Sequence, residues 1–465
     1  MRENEWLTYL PAGLPEDILR EKMCGNFAHA IALIDRRLAD PLLPAVLRYS
    51  LQAQREMICR LPADFPYTKE EALHKLRAHI PDFTEQEFAE YLAAGQIRWI
   101  YHSGEMRIFD RFFESMCKSM PAFAKRAGFS LPGSESAVQG MKGDERLNRA
   151  MHIMREKGSL SNRIRIRASV RIKDETFVPG MFVRVHLPVP AACEQQSDIK
   201  IESVFPPNAI LAPEDAPQRT VFWEETMQEN HEFCVEYSYT HTAYWHSTET
   251  PTACIDESTP PPECCAEQSP HIRFTPYLRD LAQSLCSGAA SDIEKARRIY
   301  DFITLHFQYT YMPSYFSLED ITENCARTFT GDCGVFALLF ITLCRCVGIP
   351  AQWQSGFAAE PDFIGGHDWA RFYAKPFGWL YADPSYGIGA RRAQNEERRQ
   401  FYFGNLDPYR MVANHAFQAE FTPAKNFWRC DPYDNQLGEI ETDRRGLRYE
   451  EYTRQKTILN FQELP

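Results

Sequence analysis

The sequence lacks several features that would place a protein in a special class. No stretch approaches the roughly 18 consecutive apolar residues of a membrane span, and the first residues contain no apolar core of the length that a signal peptide needs. We therefore predict a cytoplasmic protein with no membrane partner. The 51 Lys and Arg are outnumbered by 63 Asp and Glu, giving a formal net charge of -12. This balance argues against nucleic-acid binding, which derives much of its affinity from neutralising phosphates.

The chain also lacks the cysteine spacing of a zinc site. It has 14 cysteines, but no C-x-x-C pair occurs among them. Cys264-Cys265 and Cys344-x-Cys346 have the wrong spacing for a zinc ribbon. We predict that nearly all the cysteines are reduced, and we expect neither a metal nor another cofactor.

A chain of 465 residues with 44% hydrophobic content is long enough for two or three domains. The patterns predict an α+β protein in four segments. These are a helical domain with a β-hairpin (1–157), an antiparallel β-sandwich (158–255), a proline-rich linker (256–270), and a core of helices and strands with a C-terminal extension (271–465).

Two capping boxes mark helix starts in the N-terminal segment, Thr68 with Glu71 and Thr84 with Glu87. Two short strand-like runs around Ser103-Gly104 then predict a β-hairpin. Helices followed by a hairpin also occur in winged-helix DNA-binding domains. No basic recognition helix precedes this hairpin, so a plain helical domain is the preferred interpretation.

The next segment alternates apolar and polar residues, which is typical of half-buried strands. The alternation is found in SNRIRIRASVRIK, MFVRVHLPVP and EFCVEYSYTHTAYW. Turns rich in Pro and Asp separate these runs, so a small antiparallel sandwich is expected.

Cys333 stands directly before a long apolar run, GVFALLFITLCRCVG, which predicts a buried helix. A thiol at a helix N-terminus faces unpaired backbone N–H groups and the positive end of the helix dipole, which favour the thiolate. The same N–H groups can hold an oxyanion.

His367 and Asp383 lie on two strands predicted to form a hairpin. Adjacent antiparallel strands bring such residues close together, so a hydrogen bond between the carboxylate and the imidazole is expected. In this arrangement Asp383 orients His367, and His367 takes the proton of Cys333. Each of the three residues alone is more often structural; the interpretation rests on their joint occurrence.

These motifs resemble the transglutaminase-like superfamily of papain-like cysteine enzymes. The resemblance is carried by G-D-C-G before the apolar helix, G-I-P-A after it, H-x-W on one strand and W-x-x-x-D-P at the end of the next. It covers about residues 270–387, and the preceding sandwich is similar to the domain that bacterial multi-domain members place before the core. It implies a central helix packed on an antiparallel sheet, with a catalytic triad of Cys333, His367 and Asp383.

The resemblance also bears on residues beside the triad. It implies that Trp369, at the H-x-W tryptophan, packs near the site. Many members read G-x-P-A-R where this chain has Gln352, a departure that concerns substrate contacts. An oxyanion donor is expected before the cysteine, where Gln308 and Tyr309 are candidates.

The favoured hypothesis is a cysteine-nucleophile enzyme that acts on peptide, protein or amide substrates through a thioester, by hydrolysis as a peptidase or amidase. The alternative is an inactive transglutaminase-like scaffold that binds a protein or glycan. Neither the substrate nor the oligomeric state follows from the sequence.

Overall fold

The protein is described here from a computed structural model that covers residues 2–129, 143–249 and 259–465. Parts of the three predicted segments 1–157, 158–255 and 256–270 fall outside these ranges. Fourteen α-helices lie within the described residues. In chain order, α1 to α14 are Glu16–Met23, Phe27–Leu38, Ala45–Asp64, Lys69–His79, Glu85–Ala93, Phe112–Ser119, Pro121–Arg126, Gly143–Lys157, Pro276–Cys286, Asp292–His306, Ile321–Thr328, Cys333–Cys346, Pro384–Arg392 and Glu396–Phe401.

Seventeen β-strands lie in the same ranges. In chain order, β1 to β17 are Trp99–His102, Glu105–Ile108, Ser159–Ile172, Met181–Pro188, Gln196–Phe205, Ile210–Leu211, Thr220–Met227, Glu232–Tyr244, Gln308–Tyr309, Thr330–Gly331, Ala351–Glu360, Phe363–Ala374, Gly378–Ala382, Phe403–Gly404, Arg410–Asn414, Glu439–Thr442 and Tyr452–Glu463. The mixture of helices with mostly antiparallel sheets confirms the predicted α+β class.

The chain divides into two compact units. The first contains the described parts of Met1–Leu131, together with Gln268–Arg273 and Gln308–Asp332. The remaining described residues form the second unit. The predicted domain boundaries stay a prediction. The observed division is drawn differently: helix α8 and the residues from Cys333 onward belong to the same unit as the sandwich.

The first unit is largely helical. Both capping boxes are confirmed. Thr68 and Thr84 each accept from the backbone N–H of the glutamate three residues on, and the side chain of that glutamate accepts from the backbone N–H of the threonine. Strands β1 and β2 form the predicted hairpin, with His102 opposite Glu105. Its two-residue turn places Ser103 at φ 52° and Gly104 at φ 81°, as a turn with two left-handed residues requires.

The sandwich in the second unit consists of two four-stranded sheets, ordered β16-β4-β7-β6 and β17-β3-β8-β5. Inward residues of the predicted strands, such as Ile166, Val185 and Tyr237, share one buried core. Strands β16 and β17 come from the segment that the sequence predicts to be a C-terminal extension of the core. Each pairs with a sandwich strand, β16 with β4 and β17 with β3.

A five-stranded antiparallel sheet, ordered β14-β13-β12-β11-β15, also lies in the second unit, and Phe357 and Met411 of its strands share the buried core of the sandwich. Helix α12 packs on this sheet, with the Phe340 ring 5.5 Å from that of Phe372. The helix is apolar on all sides, so it is stable only when surrounded, and every residue from Gly334 to Arg345 is buried. It holds its first residue, Cys333, against the sheet.

Candidate active site

Cys333 is the first residue of α12, and its side chain is half-buried. The backbone N–H groups of a helix's first turn have no partner within the helix. The helix therefore offers hydrogen-bond donors at the position of the thiol, as the sequence predicts. None of the described cysteines is joined in a disulfide.

His367 and Asp383 are in contact. Nε2 of His367 lies 2.7 Å from Oδ2 of Asp383, and both side chains are buried. The contact arises from the β12–β13 hairpin, in which Ala370 pairs with Ala382. His367 lies inside β12 rather than at its start, and Asp383 follows the last residue of β13, so the two side chains meet diagonally across the hairpin.

The Asp383 carboxylate has a partner for each oxygen. Oδ1 accepts from the backbone N–H of Tyr386, 2.8 Å away, and so caps α13. Oδ2 contacts His367 and also lies 2.8 Å from a guanidinium nitrogen of Arg410. Burial raises the pKa of the Asp383 carboxyl, but the charges of His367 and Arg410 outweigh it and leave the pKa below its usual value. Asp383 is therefore ionised and is held in place by its partners.

Arg410, on β15, was not singled out by the sequence. Its guanidinium also lies 2.6 Å from Asp407, and it sits over the rings of Trp369 and Tyr386, 4.9 and 4.8 Å from their centres. The guanidinium is thus enclosed by two carboxylates and two aromatic rings. The only hint in the sequence was an arginine inside an apolar strand run.

The Cys333 thiol contacts a carboxyl group other than that of Asp383. Sγ of Cys333 lies 3.2 Å from Oδ2 of Asp368, the residue that follows His367. The other oxygen of Asp368 accepts from the side-chain amide of Gln436. Sequence reasoning singled out neither residue.

Trp369 is completely buried, and its Nε1 donates to Oε1 of Gln354 at 2.7 Å. Its ring centre lies 5.9 Å from that of His367. It therefore packs beside the His–Asp pair, as the resemblance implies. The Gln352 amide donates to Sγ of Cys264, 3.0 Å away, so its side chain is directed at the predicted linker.

Gln308 and Tyr309, the candidate oxyanion donors, form β9 in the first unit. They pair in parallel with Thr330 and Gly331. The Gln308 side chain is exposed and that of Tyr309 is half-buried. Their role as donors stays a prediction.

A cysteine at a helix start, a buried histidine and an ionised carboxylate are the groups that acyl transfer through a covalent intermediate uses. Among the described residues, no cluster of three or more His, Cys, Asp or Glu has the arrangement of a metal site. No helix in the described ranges has the length and apolar character needed to cross a bilayer.

Residues 279–384 match the transglutaminase-like superfamily. The matched segment runs from α9 to the first residue of α13, and it contains Cys333, His367 and Asp383. The predicted resemblance is thereby confirmed for the transglutaminase-like core.

Solved structures give further likenesses. A proposed cysteine protease from Cytophaga hutchinsonii has 14% sequence identity and a TM-score of 0.41, covering 65% of this chain and 91% of its own. The periplasmic domain of TgpA from Pseudomonas aeruginosa has 15% identity and a TM-score of 0.28, covering 54% of this chain and 95% of its own. No curated protein matched the sequence.

Proposed function

We propose that this protein is a cysteine-nucleophile enzyme that hydrolyses peptide or amide bonds through a thioester. The observation that carries the proposal is the 2.7 Å contact between His367 and the buried Asp383, inside a segment that matches the transglutaminase-like superfamily. A fold alone does not define a reaction. A buried imidazole–carboxylate pair beside a helix that begins with cysteine, however, is the arrangement that attack by a thiol on a carbonyl carbon requires. A cytoplasmic location and the absence of a nucleic-acid partner stay predictions.

The proposed reaction begins at the imidazole. Because Nε2 of His367 faces Asp383, Nδ1 is the ring nitrogen that takes the proton of Cys333. Sγ then forms a bond with the carbonyl carbon of the substrate, and the N–H groups at the start of α12 stabilise the oxyanion. Asp383 stabilises the imidazolium.

The intermediate then collapses. The C–N bond breaks, and the amine leaves with the proton from His367, so that a thioester remains on Cys333. Water adds to the thioester with His367 as its base. The carboxylic acid departs, and the thiol of Cys333 is restored.

The first test is turnover by variants of one helix. Protein substrates are incubated with the enzyme, and new peptide ends or deamidated residues are identified by mass spectrometry. Cys333→Ala should abolish every product, whereas Cys346→Ala, at the other end of α12, should retain them. Products formed by Cys333→Ala would overturn the proposal.

The second test needs no substrate. Iodoacetamide should label Cys333 much faster than Cys346, because burial raises the pKa of the Cys346 thiol to about 11. His367→Ala should slow the labelling of Cys333 alone. If Cys333 reacts no faster than Cys346, the inactive scaffold becomes the better interpretation.

A further inference from the structure

The carboxyl group of Asp368 contacts the sulfur on which the proposed reaction depends. Its Oδ2 lies 3.2 Å from Sγ of Cys333, and the residue is almost fully buried, with 4% of its surface exposed. Gln436 donates its side-chain amide to the other carboxyl oxygen, Oδ1, and to the backbone oxygen of His367. Asp368 is therefore held in one orientation beside the sulfur, where its own charge acts directly on the charge of the thiol.

A second acid, Asp434, is hydrogen-bonded to Asp368. Oδ1 of Asp434 also accepts from the Ser355 hydroxyl at 2.6 Å, the Asn414 side chain at 2.7 Å and the backbone N–H of Asn435 at 2.7 Å. Burial raises the pKa of the Asp434 carboxyl, and the hydrogen bond from Asp368 acts against this rise. Two buried carboxyl groups in contact do not both ionise, and donors favour the charged one. The negative charge therefore belongs on Asp434 and the shared proton on Asp368.

A neutral Asp368 is compatible with a thiolate on Cys333. An ionised carboxyl group 3.2 Å from the sulfur would repel the thiolate, whereas the O–H group of a neutral acid can donate to it. Oδ1 already accepts from Gln436, so the hydrogen of the acid belongs on Oδ2, the oxygen beside Sγ. A hydrogen bond to an ionised acceptor is about twice as strong as one between neutral groups, so this donor would stabilise the thiolate.

We propose that Asp368 is a further catalytic residue, a neutral acid that donates a hydrogen bond to the Cys333 thiolate, and that Asp434 is the positioning residue that keeps it neutral. The proposal rests on the proposed function of Cys333. As the S–H bond breaks and its proton passes to Nδ1 of His367, the O–H group of Asp368 turns from Asp434 to Sγ without breaking. Asp434 keeps its charge and its other donors. When Sγ bonds to the substrate carbon, the O–H group turns back to Asp434.

Other ionisable groups face this acid pair from the elements packed against it. They are His367 on β12, Lys456 on β17, and Arg429 and Asp431 in the segment before Asp434. Burial lowers the pKa of Lys456 to about 7 and raises that of Asp431 to about 7, so both charges change in the pH range of the test. The experiment therefore includes two variants that differ only at position 368, in which these other groups are the same.

The test is the pH dependence of Cys333 alkylation by iodoacetamide in the full chain. Asp434→Asn keeps the acceptor oxygen but removes the charge, so Asp368 loses the carboxylate that holds its proton and becomes ionised. We expect alkylation at pH 7 to become at least about tenfold slower, with a midpoint at least about one pH unit higher. Adding Asp368→Asn removes the new charge and supplies an N–H donor, so the double variant should return to within about threefold of the wild type.

Two results would overturn the proposal. One is an alkylation rate of Asp434→Asn within about twofold of the wild type at pH 7. The other is a double variant as slow as Asp434→Asn, because a merely structural role of Asp434 predicts no rescue at position 368. Asp362→Asn is the matched control. It neutralises another carboxylate of the second unit, whose side chain is 4% exposed and lies 2.6 Å from Arg146, and it should leave the alkylation profile unchanged.

A second measurement covers the case in which Asp434→Asn fails to fold. The infrared spectrum of Asp368→Asn at pH 7 is subtracted from that of the wild type. We expect the difference to contain the C=O band of a protonated carboxyl group. A difference that contains only the bands of an ionised carboxylate would overturn the proposal.

Both measurements are independent of turnover. If Cys333→Ala still forms products, the proposed hydrolytic function fails, while the alkylation profiles and the infrared difference report on the acid pair as before. If Cys333 is required for turnover but Asp434→Asn does not move the profile, only the roles of Asp368 and Asp434 fail.

Discussion

Two buried aspartates flank the candidate nucleophile and base, and their surroundings are opposite in charge. Asp383 contacts the imidazole of His367 and the guanidinium of Arg410. Asp368 contacts the Cys333 thiol, the Gln436 amide and a second acid, Asp434. The first is a carboxylate beside a guanidinium, and the second is a carboxyl group that shares its site with another acid.

The comparison shows that the neighbours of a residue, rather than its type, determine its role. A carboxylate matched by cations can orient an imidazole and stabilise its charged form without changing its own protonation. A carboxyl group that contacts a second acid has no such matching charge, because two carboxyl groups in contact do not both ionise. The chain thus contains one aspartate beside a guanidinium and one that is paired with another acid.

Removing the cation beside Asp383 should have the largest effect on stability. In Arg410→Met, the carboxylates of Asp383 and Asp407 stay buried without the guanidinium, which should lower the free energy of unfolding by about 3–5 kcal/mol. Urea denaturation at pH 7 measures the loss. Arg20→Met is the control, because its side chain is 68% exposed, and it should change stability by less than about 0.5 kcal/mol. A loss below about 1 kcal/mol in Arg410→Met would contradict the matched-charge description.

Neutralising Asp383 itself should have an intermediate effect that depends on pH. The folded pKa is lowered, so its contribution to stability is present above the unfolded value of about 3.9 and is lost as the pH falls through the folded value. Asn retains the cap of α13, so Asp383→Asn isolates the charge. Urea denaturation should show a clear loss of stability at pH 7 and a smaller one at pH 3. Equal losses at both pH values would show that the charge is not responsible.

Changing Trp369, whose ring packs beside the His367–Asp383 pair, should have the smallest effect on stability. Trp369→Phe removes the N–H group that donates to Gln354 and leaves a buried oxygen without that donor, at a cost of about 1–2 kcal/mol. Thermal unfolding gives the size of the change. Trp379→Phe, at a half-buried position on β13, should cost less. A larger loss in the control would show that the Gln354 contact does not account for the effect.

The parts of the candidate site that could be predicted lie in one continuous stretch of chain. Cys333 at a helix start and the pair formed by His367 and Asp383 depend on local patterns, namely an apolar helix and a hairpin. The hairpin also positions Trp369. Short-range geometry governs these contacts, so the sequence contains enough information to predict them.

Arg410, Asp434 and Gln436 could not be predicted because no local pattern relates them to the site. Arg410 reaches Asp383 through the order of the sheet, in which β15 lies beside β11. Strand β17 was missed for another reason. It lies at the edge of its sheet and is mostly exposed, so it lacks the apolar alternation by which the inner strands were recognised.

The pairing of β17 with β3 also affects the order of events during synthesis. Thr453 donates to the backbone oxygen of Arg171, 282 residues earlier in the chain. At ribosomal rates of about 5–20 residues per second, β3 waits about 14–56 s for this partner. During that time one edge of β3 is open to pairing with other chains. The nascent protein therefore passes through an interval in which protection by a chaperone is most valuable, and a pause before residue 453 would lengthen it.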